Sequence, residues 1–294
     1  MTIALGILAS DGVVLAADTL ETYPGSIKTR APKIIGAVND GQGAMVVAGA
    51  GSAIYVDSLA QQVCDGFSRK TPETIAELGD NLRSAIRDFH AESVAPYGGW
   101  PEYERPACSL LIAAELGDEK RELWVSEKSA MRSCPHAAIG IGGSFASLLL
   151  GRLLRPGITL RQAALLAAYA VYETKRSVDG CGGDTQMVVL YDGTGAVWET
   201  SRMEMLEKQL AGLSQLEDRL LLYSIGLGSR RERDLRKLPS KFEGFRDEIL
   251  GLQDVEVSES PEAQRRSSVP RYFHEGHPLH EAFKRKRRRK PARP

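Results

Sequence analysis

Three residues near the start of the chain, Thr2, Asp18 and Lys33, are of types that could together make an activated nucleophile. Methionine is ordinarily removed ahead of a small residue, and Met1 precedes Thr2. A threonine left in first position carries a hydroxyl and an α-amine on one residue. The amine's ordinary pKa is about 7.7–8, so it can accept the proton from its own Oγ near neutrality. Many chains begin Met-Thr without consequence, and the dipeptide alone decides nothing. A lysine beside Thr2 would lower the hydroxyl pKa and disfavour protonation of the amine. A carboxylate beside that lysine would keep it charged and in place. Taken singly, Asp18 reads equally well as a strand-end residue and Lys33 as a solvated charge.

Other reactive groups carry less. Cys64, Cys108, Cys134 and Cys181 are far apart with no C-x-x-C pair, which disfavours a zinc site. Cys181 has no histidine nearby in sequence and reads as a small buried residue. His90 and His136 are isolated, and the His274, His277 and His280 set lies in a polar tail. No metal site is expected.

The elements that must position Thr2, Asp18 and Lys33 are legible. Ile3–Ser10 and Val13–Ala17 are apolar runs around Asp11-Gly12, a strong two-residue hairpin signal. The second strand returns towards Thr2 and ends at Asp18. Tyr23-Pro-Gly-Ser is a loop, Lys33–Val38 a third strand and Ala44–Gly49 a fourth. The period then turns helical over 53–67, and Thr71-Pro72-Glu73 predicts the start of a second helix reaching about Ser93. Cys108–Ala114 and Arg121–Val125 read as a strand pair, and 137–143 as a strand ending in glycines. Helices are predicted over 144–154 and from a Thr159 cap to about Ser177. After the glycine-dense turn at 178–184, Met187–Tyr191 and Ala196–Thr200 close a hairpin. Helices arrive in pairs, which disfavours a doubly wound parallel sheet. Two antiparallel sheets with helix layers outside fit better.

Thr2-Ile-Ala-Leu-Gly-Ile, Asp11-Gly-Val-Val-Leu-Ala-Ala-Asp-Thr, Glu21-Thr22 and Pro32-Lys33-Ile34 together resemble the start of proteasome β-type subunits, HslV and Anbu. That family spaces Thr, Asp and Lys by about sixteen residues each; here the intervals are sixteen and fifteen. Met45-Val-Val-Ala-Gly49, Gly140-Ile-Gly-Gly and Asp179-Gly-Cys-Gly-Gly resemble its later segments. The resemblance covers residues 2 to about 198 and implies an α+β fold, the four-layer αββα sandwich of N-terminal-nucleophile hydrolases. It also implies roles. Thr2 is the nucleophile and its amine the base; Lys33 tunes that base and Asp18 holds Lys33. Asp179 supports the amine, and the Gly49 N–H receives the oxyanion. Thr22 and Gly49 offer backbone bonds to an extended peptide. Val47 and Ala50 shape the pocket before the cut bond, with Glu21 at its rim. No cofactor is required. The implied partners are a polypeptide substrate, other copies in a homo-oligomeric ring, and an ATP-dependent unfoldase. Two departures stand out: Ile141 and Gly182 replace serines that help organise the amine in the family, and Ser144 is a possible substitute for one.

The 294 residues carry 38 basic and 38 acidic side chains, 43 % hydrophobic and 26 % charged residues, ordinary for a globular protein. The zero net charge hides a split of −6 over residues 1–200 and +6 over 201–294. No apolar run nears the ~20 residues of a membrane span, and no signal-peptide pattern is present, so a cytoplasmic chain is expected. The expected organisation is a catalytic domain over 2–200, a charged helical extension over 201–252 with one helical stretch at 202–237, and a mobile linker and tail over 253–294. Lys284–Arg293 holds eight basic residues in ten, a candidate contact for nucleic acid or an acidic protein, or a solvated tail. The leading reading is a threonine endopeptidase subunit acting on unfolded polypeptides. Its rivals are a small-molecule amidase of the same fold and an inactive scaffold with a tethering tail.

Overall fold

The structure, a computed structural model, describes residues 2–22, 28–39, 42–70, 72–101, 105–117, 120–225 and 238–257. Contacts divide the chain into two units, one running to Glu199 and one beginning at Thr200.

The first unit holds two antiparallel five-stranded sheets. One is ordered β10-β1-β2-β11-β12, from β1 (Ala4–Leu8), β2 (Val13–Asp18), β10 (His136–Ile139), β11 (Thr185–Tyr191) and β12 (Thr194–Val197). The other is ordered β5-β6-β7-β8-β9, from β5 (Ile34–Asn39), β6 (Gly43–Gly51), β7 (Cys108–Leu116), β8 (Lys120–Glu127) and β9 (Ala130–Ser133). The alternation of side chains along each strand creates two interiors. Ala4, Leu15 and Val188 of the first sheet meet Val46, Leu111 and Leu123 of the second. On the second sheet's other face, Met45, Val47 and Ile112 meet Leu59, Val63, Leu82 and Ile86 of α1 (Ala53–Arg69) and α2 (Ile75–Phe89). α3 (Gly143–Leu153) and α4 (Leu160–Ser177) cover the first sheet, α4 through a row of small buried residues, Ala163, Ala164, Ala167, Ala168 and Ala170. Strands buried on both faces read as continuous apolar runs, which is why β1, β2 and β6 are so plain in the sequence. The order is α, β, β, α: the expected four-layer sandwich.

Local differences have local causes. A small hairpin, β3 (Leu20–Thr22) with β4 (Lys28–Arg30), precedes β5, and its charged residues hide it from an apolar-run reading. The Tyr23 loop lies outside the described residues. Lys33 sits just before β5 and not within it. α2 starts after Thr74, not Thr71, because the Thr74 hydroxyl accepts the Glu77 N–H while the Glu77 carboxylate turns back to the Glu73 N–H. α2 ends at Phe89 and passes into a wider turn over His90–Val94. β9 was not expected. β10 stops at Ile139 because Gly140 takes φ +90°, a left-handed value that breaks the strand.

The second unit contains, among the described residues, α5 (Thr200–Ser224), which covers the described start of the expected 202–237 stretch, and α6 (Leu238–Val257) beyond it; residues 226–237 lie outside the described residues. The Phe245 ring of α6 closes over Gly212 of α5. α6 runs through residue 253, where the sequence suggested a linker. The three tail histidines and the basic segment 284–294 lie outside the described residues.

Candidate active site around Thr2

The opening hairpin pairs Ala4 with Ala17. One step further, the Asp18 N–H donates to the Ile3 carbonyl at 3.0 Å, and the Ile3 N–H donates to Asp18 Oδ1 at 3.2 Å. The Asp18 carboxylate is thus fixed to the residue that follows Thr2. Its Oδ1 also accepts Lys33 Nζ at 2.6 Å, and its Oδ2 accepts the Gly182 N–H at 2.8 Å. Asp18 is 0 % exposed and the Lys33 side chain 9 %. Burying two charges is costly unless they pair well and their remaining hydrogen-bond sites are used. Here the carboxylate has three donors, and the ammonium also donates to the Leu20 carbonyl at 2.6 Å. The Lys33 backbone is held separately, its N–H donating to Gln186 Oε1 at 2.8 Å.

Thr2 itself is 6 % exposed. The segment after β10 wraps over it: the Gly142 N–H donates to the Thr2 carbonyl at 3.3 Å. A Cβ on Gly140 would stand 2.1 Å from that carbonyl oxygen, so only glycine fits. The register of β5 on β6 pairs Ile34 with Ala48. One step beyond, Gly49 falls opposite Lys33. Gly49 is a close-approach glycine too, since a Cβ there would lie 2.1 Å from Val56 Cγ1 in the first turn of α1. Thr2, Asp18, Lys33 and Gly49 therefore converge at one end of the two sheets.

The other expected residues fall as follows. Glu21 and Thr22 are half-buried on β3. Partial desolvation and then the charge of Glu21 push the Asp57 carboxyl of α1 above its ordinary range. Val47 and Ala50 lie on opposite faces of β6, Val47 packed towards α1 and α2 and Ala50 into the interior between the sheets. One wall does not contain both. Asp179 is exposed, and its carboxylate does not enter the Asp18 network. Ile141 and Ser144 are exposed at the start of α3.

Three participants escaped the sequence reading: Leu20, Gln186 and Asp57; Cys181 is the small buried residue that was expected. Cys181 is buried beside Gly142, and burial followed by the Asp18 charge pushes its thiol up to about 11, against Lys33 and the Gly142 N–H. A thiol that high is ionised to about one part in ten thousand at neutrality, too little for a nucleophile. The one sequence signal was Gln186, a polar side chain inside an apolar strand. Among the described residues no three His, Cys, Asp or Glu side chains lie close enough to hold a metal ion. No helix among them is long and apolar enough to cross a membrane.

Residues 2–190 match the family model described as "Proteasome subunit". The chain belongs to the proteasome subunit family. A curated relative, Proteasome subunit beta 2 of Pyrobaculum neutrophilum, is 29 % identical over 213 residues, 69 % of this chain and 95 % of that one. Among solved structures, a Gly-1 mutant of Anbu from Hyphomicrobium sp. strain MC1 matches with a TM-score of 0.61 at 16 % identity, covering 75 % of this chain and 99 % of that one. Anbu from Yersinia bercovieri gives 0.60 at 16 % identity, covering 74 % and 97 %. The helical assembly of the Anbu complex from Pseudomonas aeruginosa gives 0.59 at 16 % identity, covering 74 % and 96 %. These likenesses establish the fold. About a quarter of this family member lies beyond what those neighbours cover.

Proposed function

We propose that this chain is a threonine-type endopeptidase subunit whose nucleophile is Thr2 after loss of Met1. The observation that carries the reading is the buried Asp18 carboxylate, which grips both the Lys33 ammonium and the Ile3 N–H next to Thr2. In the reaction the Thr2 Oγ attacks the peptide carbonyl while its proton passes to the Thr2 α-amine. The Gly49 N–H receives the charge on the carbonyl oxygen. The C–N bond then breaks, the departing amine takes the proton, and an ester to Thr2 remains. Water, deprotonated by the same amine, hydrolyses that ester and restores the hydroxyl. Lys33 keeps the amine in its neutral, basic form by its positive charge. Thr22 and Gly49 align an extended polypeptide by strand addition, with Glu21 at its rim. The substrate is unfolded polypeptide, the working form an oligomer of this chain served by an ATP-dependent unfoldase, and the compartment the cytoplasm.

Ile141 and Gly182, standing where the family has serines, favour a second reading: an inactive scaffold of the same fold whose tail, residues 284–294, tethers nucleic acid or an acidic partner. Intact-protein mass spectrometry separates the two. The active reading expects loss of Met1 and one adduct with a peptide epoxyketone, absent in Thr2→Ala. A retained Met1 overturns the mechanism, because the base would be tied up as an amide. A processed but unlabelled chain favours the scaffold.

A further inference from the structure

An aromatic cluster stands at the start of α1 and takes no part in the proposed chemistry. Val56 packs directly on Gly49, and its neighbour Tyr55 meets Tyr97 edge-to-face, with centroids 6.4 Å apart at 90°. Tyr97 in turn meets Trp100 edge-to-face at 5.0 Å and 89°. The three rings form a ledge running outward from the first turn of α1.

The segment bearing Tyr97 and Trp100 is tightly braced. The Gly98 N–H donates to the Ala95 carbonyl and the Trp100 N–H to the Tyr97 carbonyl, both at 2.9 Å. Arg105 Nε holds the Trp100 carbonyl at 2.6 Å. At the segment's far end, Ala107 is bound to the cap of α1 twice: its carbonyl accepts the Ser52 N–H at 2.7 Å, and its N–H donates to Ser52 Oγ at 3.2 Å. The ledge is thereby anchored to the turn that follows Gly49. Yet its outer end is open. Trp100 is 50 % exposed, and Ile54, next to Tyr55, is 79 % exposed. An indole fixed by its backbone and left half in water is a preorganised apolar surface, and its ordering cost is met before any ligand arrives.

We propose that Trp100 and Tyr97, backed by Tyr55, form a subsite for a large apolar side chain of the polypeptide substrate, flanking the cut bond. The proposal rests on the peptidase reading and adds a preference to it. Its occupant is the substrate, because the ledge is continuous through Val56 with Gly49, where the scissile carbonyl would lie. Aromatic side chains find there the edge and face contacts that Tyr97 and Trp100 already make with each other.

The test measures binding, so that it does not depend on turnover. Full-length chain carrying Thr2→Ala is titrated with two fluorescein-labelled decapeptides that differ only by Phe or Ser at one position, scanned along the peptide. At one position the Phe peptide should bind more tightly. Adding Trp100→Ala should weaken the Phe peptide about 5- to 10-fold, equivalent to about 1–1.4 kcal/mol, and leave the Ser peptide unchanged. Trp100→Phe should recover most of the loss, and the sedimentation coefficient should not change. Equal affinities with and without Trp100 would overturn the subsite while leaving the peptidase reading intact. Equal weakening of both peptides with a changed sedimentation coefficient would overturn it in favour of a contact between copies. Failure of every peptide to bind the parent, together with no epoxyketone adduct, would sink the peptidase reading and the subsite with it.

Discussion

Removing either member of the Asp18–Lys33 pair should unsettle the whole first unit, and the size of the effect follows from the geometry. In Asp18→Asn the Lys33 ammonium stays buried without a counter-charge. Three donors, Lys33 Nζ and the N–H groups of Ile3 and Gly182, now compete for a single amide oxygen, and the new amide N–H₂ faces donors. In Lys33→Met the carboxylate keeps its two backbone donors but loses its cation. Breaking a buried pair from one side costs about 3–5 kcal/mol. At about 2–4 °C per kcal/mol for a unit of roughly 200 residues, each single variant should melt about 6–20 °C lower. The double variant Asp18→Asn/Lys33→Met leaves no unpaired charge and should lose clearly less than the sum. Thermal melts and urea titrations at neutral pH give all four corners of the cycle. Single losses below about 1 kcal/mol, or additivity within about 0.5 kcal/mol, would refute the claim that these two charges hold each other.

Two further outcomes are expected. Because burial pushes Cys181 up to about 11 and Cys64 up to about 12, native protein at neutral pH should take up iodoacetamide at neither residue, and any hydrolytic activity should survive the treatment; peptide mapping that finds Cys181 alkylated alongside lost activity would contradict the threonine assignment. At the opposite end of the sheets Glu115 is buried against Arg121 at 3.2 Å, and burial raises its carboxyl more than Arg121 and the Gly193 N–H lower it. Between its ordinary value of about 4.3 and the raised one, the folded chain keeps a proton that the unfolded chain has released. Its contribution to stability therefore falls as pH rises through that interval and is level below it. Glu115→Gln should gain on the parent in urea titrations as pH rises from about 4 to about 7, and a gap that narrows with rising pH would refute the sign.

What could be read ahead of the structure was what the chain encodes locally. The Asp11-Gly12 turn sets the β1–β2 register, and that register alone brings Asp18 to Ile3. The meeting of Asp18 with Lys33 is different. Lys33 lies beyond a charged hairpin that periodicity misses, and its backbone is held by Gln186, 153 residues away. No spacing rule predicts such a contact, and only the family resemblance joined the two. The start of α2 failed for a third reason. Pro72 is a strong start signal, but Thr74 and Glu77 supply the hydrogen bonds that a helix start needs, and those outweighed it. Val47 and Ala50 were grouped by resemblance although their odd separation puts them on opposite faces of a strand.

Ile141 and Gly182, where the family resemblance expects serines, bear on the proposed chemistry in a particular way. At Gly182 the structural work is done by the main chain: its N–H holds Asp18 Oδ2 and its carbonyl accepts the Leu20 N–H at 3.1 Å. At the other segment the Gly142 N–H holds the Thr2 carbonyl, while Ile141 simply points outward. Neither contact needs a hydroxyl, so the arrangement of Asp18, Lys33 and Thr2 stands without one. What the serines would have added is a polar relay for the amine's proton. Their loss should therefore be felt in the rate at which that proton moves. Ester formation on Thr2, which needs one transfer within a single residue, should suffer less than hydrolysis of the ester, which needs a water to be held and deprotonated. An enzyme of this build would accumulate its acyl intermediate, visible as a mass increment on Thr2 during turnover and as a burst of the first product. Steady turnover without either would show that another group holds the water.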